Sequence, residues 1–284
     1  MKRVLITGTS TGFGRDLCTA FLERGWMVYA TMRRALERRA SFAAEQARYG
    51  EALSVLSLDV SDAAEREAAA AAVEAGGGLD CLVNNAGFGM FGPCEELTAE
   101  QWRRQMEVNF FGALFVTQRL LPALRASRGK VINVSSILGL AGFPFSAAYC
   151  ASKYALEGMS EALYYELKPH GVQVGLVEPG AFRTQLAQNM DFAHVPPASA
   201  YRPQMDAYES LLEKQLKRAG VPPAAVVKTI VRLAEARRMP LRTIVGMDAK
   251  AMEGFQRFLP RNWSASLMAR VYGKLLEPKA ADGV

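Results

Sequence analysis

The sequence lacks any apolar run long enough to cross a bilayer. A membrane-spanning helix needs about 20 consecutive apolar residues, and no stretch of the 284 residues comes near that length. Residues 1–14 already contain an apolar run followed by a glycine-rich turn, so we expect them to fold rather than to act as a secretion signal. These absences argue against an integral membrane protein and predict a cytoplasmic one.

Histidine and cysteine are scarce. The two histidines, His170 and His194, lie far apart and outside any metal-ligand pattern, which argues against a zinc site. The four cysteines show no paired spacing. Cys18 and Cys81 lie in apolar runs, so we expect buried thiols in a reducing compartment rather than disulfides.

Positive charge is present but not concentrated. The net charge of +6 at pH 7 is spread over pairs and short clusters such as Arg33-Arg34 and Arg237-Arg238. A nucleic-acid-binding surface needs a longer basic stripe with aromatic residues. We therefore expect no nucleic-acid partner, and attribute the charge to a general surface bias that also helps to attract anionic ligands.

What the sequence does contain is a tyrosine and a lysine four residues apart, Tyr149 and Lys153, with Ser136 thirteen residues before the tyrosine. Residues at this spacing share one face of a helix. A nearby ammonium favours the phenolate and lowers the phenol pKa from its ordinary value near 10. A serine hydroxyl can steady a carbonyl oxygen while the phenol donates its proton. The three groups suit reduction of C=O or oxidation of CH–OH, although an ordinary surface pair has the same spacing.

A phosphate-binding turn is predicted near the N-terminus. The short apolar run 4–7 leads into the glycine-rich residues 8–14, which we call the glycine turn. Apolar residues then recur at helical spacing over 17–22. A strand, a tight turn and a helix N-terminus direct backbone N–H groups toward an anion. The spacing G-x-x-x-G-x-G differs from the dinucleotide fingerprint G-x-G-x-x-G, and an ordinary turn is the alternative.

Candidate strands alternate with helical stretches along the whole chain. Each candidate is β-rich or apolar on both faces, as buried parallel strands are. No linker or change of composition divides the chain. We therefore predict one α/β domain over residues 1–284, a doubly wound sheet of about seven parallel strands with helices on both faces and the ligand at the carboxyl ends of the strands. The candidates cover about 3–7, 26–31, 53–58, 79–83, 130–135, 172–177 and 242–246.

Six motifs in register resemble those of the short-chain dehydrogenase/reductase family. The resemblance is strong over roughly residues 2–185 and loose beyond. The blocks V-Y-A-T-M-R at 28–33 and Y-C-A-S-K at 149–153 look most like the branch that contains 17β-hydroxysteroid and retinol dehydrogenases. It implies a Rossmann-type fold and a nicotinamide cofactor, whereas the branch does not fix the substrate. The motifs are T-G-x-x-x-G-x-G at 7–14, Asp59-Val60, Asn84-Asn85-Ala86-Gly87, Ser136, Tyr149-x-x-x-Lys153 and Pro179-Gly180.

The resemblance implies a role for each matching residue. Tyr149 would be the general acid or base, and Lys153 would lower its pKa and hydrogen-bond the nicotinamide ribose. Ser136 would hold the substrate oxygen; Ser135 is the neighbouring alternative, but strand alternation points the two side chains opposite ways. Asn109 matches the family asparagine that supports a water relay. The expected cofactor contacts are Gly8, Ser10, Thr11, Gly12, Phe13 and Gly14, Asp59 and Val60 beside the adenine, Asn85, Ala86, Gly87, Tyr149 and Lys153, and Pro179, Gly180 and Thr184 on the nicotinamide side.

The end of the second predicted strand decides the type of dinucleotide. An acidic residue there would bind the ribose 2′-hydroxyl and repel a 2′-phosphate. Here Tyr29-Ala30-Thr31-Met32 is followed by Arg33 and Arg34, with no carboxylate. A guanidinium group can bind the phosphate through paired hydrogen bonds. NADP(H) is therefore favoured over NAD(H), with Arg33 as the phosphate ligand and Arg34 as the alternative.

The substrate is expected to be a small apolar ketone, aldehyde or alcohol. Apolar residues flank the inferred site and continue over 182–212, where Pro196-Pro197 and Pro203 indicate a loop-rich lid over about 184–220. An apolar lining selects an apolar ligand, unless these residues pack only within the domain. They are Phe88, Met90, Phe91, Leu138, Phe143, Phe145, Phe182, Leu186, Met190, Phe192, Tyr201, Met205, Tyr208 and Leu211.

Amphipathic patterns predict a helical C-terminal extension over about 250–277. Packing against the core or the substrate pocket is the expected role, and contact with another subunit or a membrane is the alternative. The resemblance also implies a homodimer or homotetramer assembled through the long helices that contain Asn109 and Tyr149.

Two functions of different classes fit these observations. The first is an NADP(H)-dependent oxidoreductase that transfers hydride between nicotinamide and an apolar carbonyl compound or alcohol. The second is a non-catalytic dinucleotide-binding regulatory protein of the same fold. The presence of both Tyr149 and Lys153 favours the enzyme. An epimerase or dehydratase acting on a nucleotide sugar fits the glycine spacing and the chain length poorly.

Overall fold

Seven parallel strands form the central sheet of the protein, in the order β3-β2-β1-β4-β6-β7-β9. The structure is a computed structural model that describes residues 1–180, 190–218, 223–258 and 261–277. Every predicted strand overlaps an observed one, because both faces of each strand are covered. The strands are β1 (Arg3–Thr7), β2 (Met27–Met32), β3 (Leu53–Ser57), β4 (Cys81–Asn84), β6 (Lys130–Val134), β7 (Gln173–Pro179) and β9 (Arg242–Val245).

Helices cover both faces of the sheet. On one face α1 (Gly12–Leu22) and α9 (Ala224–Glu235) pack through Phe21 and Ile230. On the other face α4 (Ala63–Ala75), α6 (Gly112–Ser127) and α7 (Ala147–Leu167) pack against the strands. This confirms the doubly wound α/β fold. The remaining helices are α2 (Ala35–Arg38), α3 (Ala43–Tyr49), α5 (Ala99–Met106), α8 (Arg202–Arg218), α10 (Met247–Phe258) and α11 (Arg261–Leu275).

The strand order places a crevice at one edge of the sheet. β1 pairs with β2 on one side and with β4 on the other, and the chain winds outward in both directions from this pair. Ligands of open α/β sheets bind outside the carboxyl ends of the strands at such a reversal. The segments that follow β1, β4, β6 and β7 therefore define the region in which a site is expected.

A second, two-stranded sheet was not predicted from the sequence. β5 (Gly89–Phe91) pairs in parallel with β8 (Met190–Phe192) and joins the chain after β4 to the chain after β7. Three residues per strand are too few to produce a recognisable alternation. The second half of the predicted lid also contains a regular element, because α8 begins at Arg202. Pro203 lies in its first turn, where proline is tolerated.

The predicted C-terminal extension contains the two helices α10 and α11. Tyr272 and Leu276, at the end of the extension, pack into a cluster of apolar residues with Phe143 and Tyr208. Among the helices that the structure describes, none has the length and apolarity needed to cross a bilayer.

Candidate active site

The glycine turn between β1 and α1 depends on the small size of its glycines. Gly8 and Gly12 have φ angles of +70° and +60°, a region in which a side chain is strained. A Cβ atom at Gly14 would lie 2.3 Å from the Gly8 carbonyl oxygen and 2.5 Å from Asn85 Nδ2. A Cβ atom at Gly12 would meet no atom within 4 Å, so the turn is open there.

The N-terminus of α1 is left free for a ligand. Thr11 is the N-cap residue, but its side chain makes no capping hydrogen bond, and the first turn contains no acidic residue. The first N–H groups of a helix have no partner within the helix and carry a partial positive charge. With the open glycine turn before it, this end of α1 fits the phosphate groups of a dinucleotide. Ser10, Thr11 and Phe13 are half-buried in the same turn.

Asn85 fixes the chain after β4 against the glycine turn. Its Nδ2 atom donates to the carbonyl oxygens of Thr7, at 2.9 Å, and Gly8, at 3.0 Å. In return, Thr7 Oγ1 accepts the backbone N–H groups of Asn85 and Ala86. A Cβ atom on Gly8 would lie 2.8 Å from Ala86 Cα. The structure therefore brings the segment 85–87 to the glycine turn, as the resemblance implied.

Ser136, Tyr149 and Lys153 come together where β6 ends and α7 begins. The Ser136 hydroxyl hydrogen-bonds the Tyr149 phenol. Lys153 Nζ donates to the Val134 carbonyl oxygen at 2.8 Å and lies 5.7 Å from the centre of the Tyr149 ring. The Oγ of Ser135, the alternative to Ser136, lies beside Gly139 and Glu157 instead and has no hydrogen-bond partner within the described residues. The alternation of side chains at the strand end thus selects Ser136.

Burial sets the protonation of the tyrosine and the lysine. It raises the pKa of Tyr149 to about 12, which the hydrogen bond from Ser136 partly offsets. It lowers the pKa of Lys153 to about 8, while the negative charge of Glu157 acts in the opposite direction. Lys153 is not among the groups that lower the Tyr149 pKa, contrary to the expectation from the sequence. At neutral pH the phenol therefore holds its proton.

Asn109 lies in a π-helical turn, Glu107–Phe111, between α5 and α6. Its Oδ1 accepts the Phe88 N–H at 3.0 Å, and its Nδ2 donates to the Phe88 carbonyl oxygen at 2.9 Å and to Ser152 Oγ at 3.2 Å. A π-helical turn inserts one extra residue, which redirects a side chain. Asn109 thus fixes the backbone after Gly87, and its part in a water relay stays a prediction.

The two candidate arginines differ in their surroundings. Arg33 is exposed directly after β2 and makes no hydrogen bond or ion pair with the described part of the chain. Arg34 adopts a left-handed conformation with φ of +51°, and its Nη1 lies 3.7 Å from Glu37 Oε2. Arg33 is therefore the more available of the two for an anionic ligand.

The remaining predicted cofactor contacts lie at the same edge of the sheet. Asp59 follows β3, and its Oδ1 accepts two hydrogen bonds from Ser61, while Val60 packs on Gly112. Pro179 ends β7, and the Gly180 N–H donates to the Val245 carbonyl oxygen at 3.0 Å. Thr184 lies outside the described residues, as do Phe182 and Leu186.

Aromatic side chains pack beside the Tyr149 ring. The Phe91 ring centre lies 5.7 Å from that of Tyr149. The Phe143 ring centre lies 4.5 Å from that of Tyr272 of α11. Of the predicted apolar residues, Leu138, Tyr201 and Leu211 lie outside the group of side chains that packs around these rings. Phe192 contacts that group through Phe91. We call the group the aromatic cluster; it contains Phe88, Met90, Phe91, Phe143, Phe145, Tyr149, Met190, Met205, Tyr208 and Tyr272.

A cavity of about 390 Å³ opens beside the aromatic cluster, between α8 and α11. The sequence analysis expected the extension to pack against the core or the substrate pocket, but its amphipathic pattern did not specify which residues the apolar face of α11 covers. The cavity is lined by Pro144, Gln204, Ala269, Tyr272, Gly273, Leu276 and Glu277.

A group of buried charges near Lys153 was also missed. Arg242 of β9 forms ion pairs with Glu157 of α7, with Glu178 of β7 at 3.2 Å and with Glu161 at 2.9 Å. The Glu178 side chain is 0% exposed, and burial together with the Glu157 charge raises its pKa to about 7. The available signals were a glutamate four residues after Lys153 and a charge within an apolar strand. We call Glu157, Glu178 and Arg242 the carboxylate cluster.

A sequence profile of the short chain dehydrogenase family matches residues 2–193. The chain is 35% identical over 246 residues to a 3-ketodihydrosphingosine reductase of Bacteroides thetaiotaomicron, covering 86% of this chain and 87% of that protein. It is 34% identical over 255 residues to retinol dehydrogenase 8 of Bos taurus, covering 85% and 80%. The protein therefore belongs to the short-chain dehydrogenase/reductase family, which confirms the resemblance seen in the sequence.

A solved structure is similar over nearly the whole chain. A short chain dehydrogenase from Burkholderia cenocepacia J2315 in complex with NADP superposes with a TM-score of 0.73 at 27% identity, covering 94% of this chain and 99% of that one. The similarity to this family therefore extends to the parts of the chain that lie beyond the motifs.

Replacing Gly14 by alanine should destabilise the fold at the glycine turn. The new Cβ atom would clash with the Gly8 carbonyl oxygen, and overpacking of this kind costs about 1–3 kcal/mol. Gly158→Ala is the matched control, because its Cβ atom would meet nothing within 4 Å on the exposed face of α7. It should raise the free energy of unfolding by about 0.5–1 kcal/mol. Urea unfolding of both variants measures the contrast, and effects of equal sign would contradict it.

Proposed function

We propose that this protein is an NADP(H)-dependent oxidoreductase that transfers hydride between nicotinamide and an apolar ketone, aldehyde or alcohol. One observation carries the proposal: Ser136, Tyr149 and Lys153 meet at the carboxyl edge of the sheet, next to a glycine turn held open for phosphate. A proton donor and a dinucleotide site at one edge are the two components that carbonyl reduction requires.

The protein's residues fit a nicotinamide dinucleotide along the whole edge. The uncapped N-terminus of α1 and the open position at Gly12 suit the diphosphate. Asp59 and Val60 would contact the adenine, and the segment 85–87 and Pro179-Gly180 would hold the nicotinamide half. When bound, nicotinamide supplies or accepts the hydride.

Tyr149 would manage the proton of the reaction. Its pKa of about 12 keeps the phenol protonated at neutral pH, so it is prepared to donate to a carbonyl oxygen as that oxygen gains negative charge. Ser136, already hydrogen-bonded to the phenol, would hold the same oxygen. In alcohol oxidation the roles reverse, and Lys153 would stabilise the phenolate electrostatically.

Arg33 supports a preference for NADP(H). Its guanidinium is exposed after β2, it makes no ion pair with the described residues, and no carboxylate stands at the strand end to repel a 2′-phosphate. The Burkholderia relative that carries NADP agrees with this choice.

An apolar substrate is supported by the aromatic cluster beside Tyr149, of which Tyr272 also lines the cavity between α8 and α11. The names of the two relatives, 3-ketodihydrosphingosine reductase and retinol dehydrogenase 8, also support an apolar substrate. We further propose a cytoplasmic homo-oligomer assembled through α7 and the helical segment that contains Asn109, on which Tyr165 and Phe111 respectively expose aromatic rings.

Replacing Tyr149 by phenylalanine should abolish turnover of NADPH with apolar ketones and leave NADPH binding nearly unchanged. The variant removes only the hydroxyl that donates the proton. Tyr154→Phe, an exposed tyrosine on the same helix, is the control and should retain wild-type turnover. NADPH absorbance follows the reaction and calorimetry follows binding. Retention of most of kcat in Tyr149→Phe would refute the mechanism, whereas absence of turnover in the wild type would favour the non-catalytic alternative.

Replacing Arg33 by alanine should weaken NADPH binding about ten- to a hundred-fold, since a charge-assisted hydrogen bond contributes about 1.5–3 kcal/mol. NADH, which lacks the 2′-phosphate, should bind the variant as it binds the wild type. Arg34→Ala is measured in parallel. Loss of NADPH affinity in Arg34→Ala alone would assign the phosphate to Arg34, and equal losses for both dinucleotides would exclude a 2′-phosphate contact.

Catalytic efficiency should rise along a homologous series of ketones. Each methylene buried against the aromatic cluster contributes about 0.8 kcal/mol, nearly four-fold in kcat/KM, until the pocket is full. Steady-state rates with short, medium and polycyclic ketones measure the slope. A flat or falling trend from the shortest member would overturn the apolar pocket while leaving the dehydrogenase assignment intact.

A further inference from the structure

The carboxylate cluster lies directly beside the buried lysine of the site. Glu157 follows Lys153 by one helical turn of α7, so the two side chains share a face. Both residues are buried, with Lys153 6% exposed. Glu178 ends the apolar part of β7, one residue before Pro179. The cluster therefore connects α7, β7 and β9 at the level of the catalytic groups.

The charges within the cluster do not balance by themselves. Glu157 and Glu178 are both buried, and one guanidinium, that of Arg242, contacts both. Glu161 also contacts Arg242, but its side chain is 44% exposed and its charge is screened by water. With both buried carboxyl groups ionised, the cluster carries one excess negative charge. The nearest buried cation that can offset it is Lys153.

One oxygen on each buried carboxyl group lacks a hydrogen-bond partner in the described part of the chain. Burial, and after it the negative charge of Glu157, raises the pKa of Glu178 to about 7. Glu178 therefore loses its proton near pH 7: while it holds the proton, Arg242 balances Glu157, and once it ionises the cluster carries its excess negative charge beside Lys153.

We propose that Glu157, held by Arg242 and Glu178, is a positioning residue whose buried negative charge keeps Lys153 cationic and thereby controls proton transfer at Tyr149. The inference rests on the proposed function and assigns to it residues outside the family motifs. Glu157 touches neither substrate nor cofactor, so it acts only through Lys153.

The neighbours of Lys153 leave Glu157 as its main charged partner. On α7 it faces Tyr149 and Glu157, and its ammonium donates to the Val134 carbonyl oxygen after β6. The π-helical turn contributes the neutral Asn109, β7 contributes Glu178 and β9 contributes Arg242. Asp248 of α10 is turned toward Gly180. Burial lowers the pKa of Lys153 and raises that of Glu157, and the attraction between the two charges opposes both shifts.

The test is the pH profile of kcat/KM in Glu157→Gln. Removing the negative charge of Glu157 makes proton loss from Lys153 easier, so the apparent pKa that Lys153 contributes to the profile should fall. We expect a fall of about one unit, the size of a partly screened charge one helical turn away. Glu157→Asp retains the charge and should restore the wild-type profile.

Two further variants separate charge from structure. Glu161→Gln also loses a contact to Arg242, but it removes an exposed charge and should leave the profile unchanged. Glu178→Gln mimics the protonated form, so its profile should match the wild type below about pH 7 and shift down above it. If Glu157→Gln does not fold, the difference between the pH profiles of Glu178→Gln and Glu161→Gln shows whether the buried charge controls the profile. Equal profiles in all variants would overturn the proposal.

A titration without turnover keeps this test independent of the proposed function. The carbon NMR signal of the lysine ε-methylene, taken as the difference between each protein and its Lys153→Arg counterpart, reports the titration of the Lys153 ammonium directly. Its midpoint should lie lower in Glu157→Gln than in the wild type. An unchanged midpoint would overturn the role of Glu157. Absence of any carbonyl turnover in the wild type, with the midpoint shifted, would refute the oxidoreductase proposal alone.

Discussion

The ammonium group of Lys153 is buried, and much of the site is arranged around that constraint. Removing an ammonium from water costs several kcal/mol unless it is hydrogen-bonded and paired. Here Nζ donates to the Val134 carbonyl oxygen, and Glu157 supplies the negative charge. The end of β6 must therefore lie against α7, and this contact also brings Ser136 to the Tyr149 phenol. If Lys153 were exposed to solvent, it would require neither the contact between β6 and α7 nor the approach of Ser136 to Tyr149.

The sheet supplies the rest of the positioning. Its strands are parallel, so chain segments far apart in the sequence end at one edge. The glycine turn and the segment 85–87 belong to β1 and β4, and the hydrogen bonds between Asn85 and the carbonyl oxygens of Thr7 and Gly8 lock them together. Each of these bonds joins the Asn85 side chain to a backbone carbonyl oxygen, so this half of the site depends on one side chain and on the backbone around it.

The sequence revealed the features that rest on local spacing. Strands covered on both faces are continuous apolar runs, the glycine turn has a fixed spacing, and Tyr149 and Lys153 are four residues apart. Contacts between distant residues left no such trace. Glu178 and Arg242 are 64 residues apart and meet because Arg242 lies opposite Leu176 in the β7–β9 register. The β5–β8 pair is too short for a pattern, and the contact of Tyr272 with Phe143 depends on how α11 folds back.

The carboxylate cluster is important because the pKa of Lys153 is lower than that of Tyr149. Burial places that of Lys153 near 8 and that of Tyr149 near 12, so with rising pH the lysine would lose its proton first. A neutral lysine cannot stabilise a phenolate. Lys153 can assist Tyr149 only while something nearby favours its charged form, and within the described chain Glu157 is the carboxylate placed to do so. The chemistry proposed for the tyrosine therefore depends on Glu157, which acts on it through Lys153.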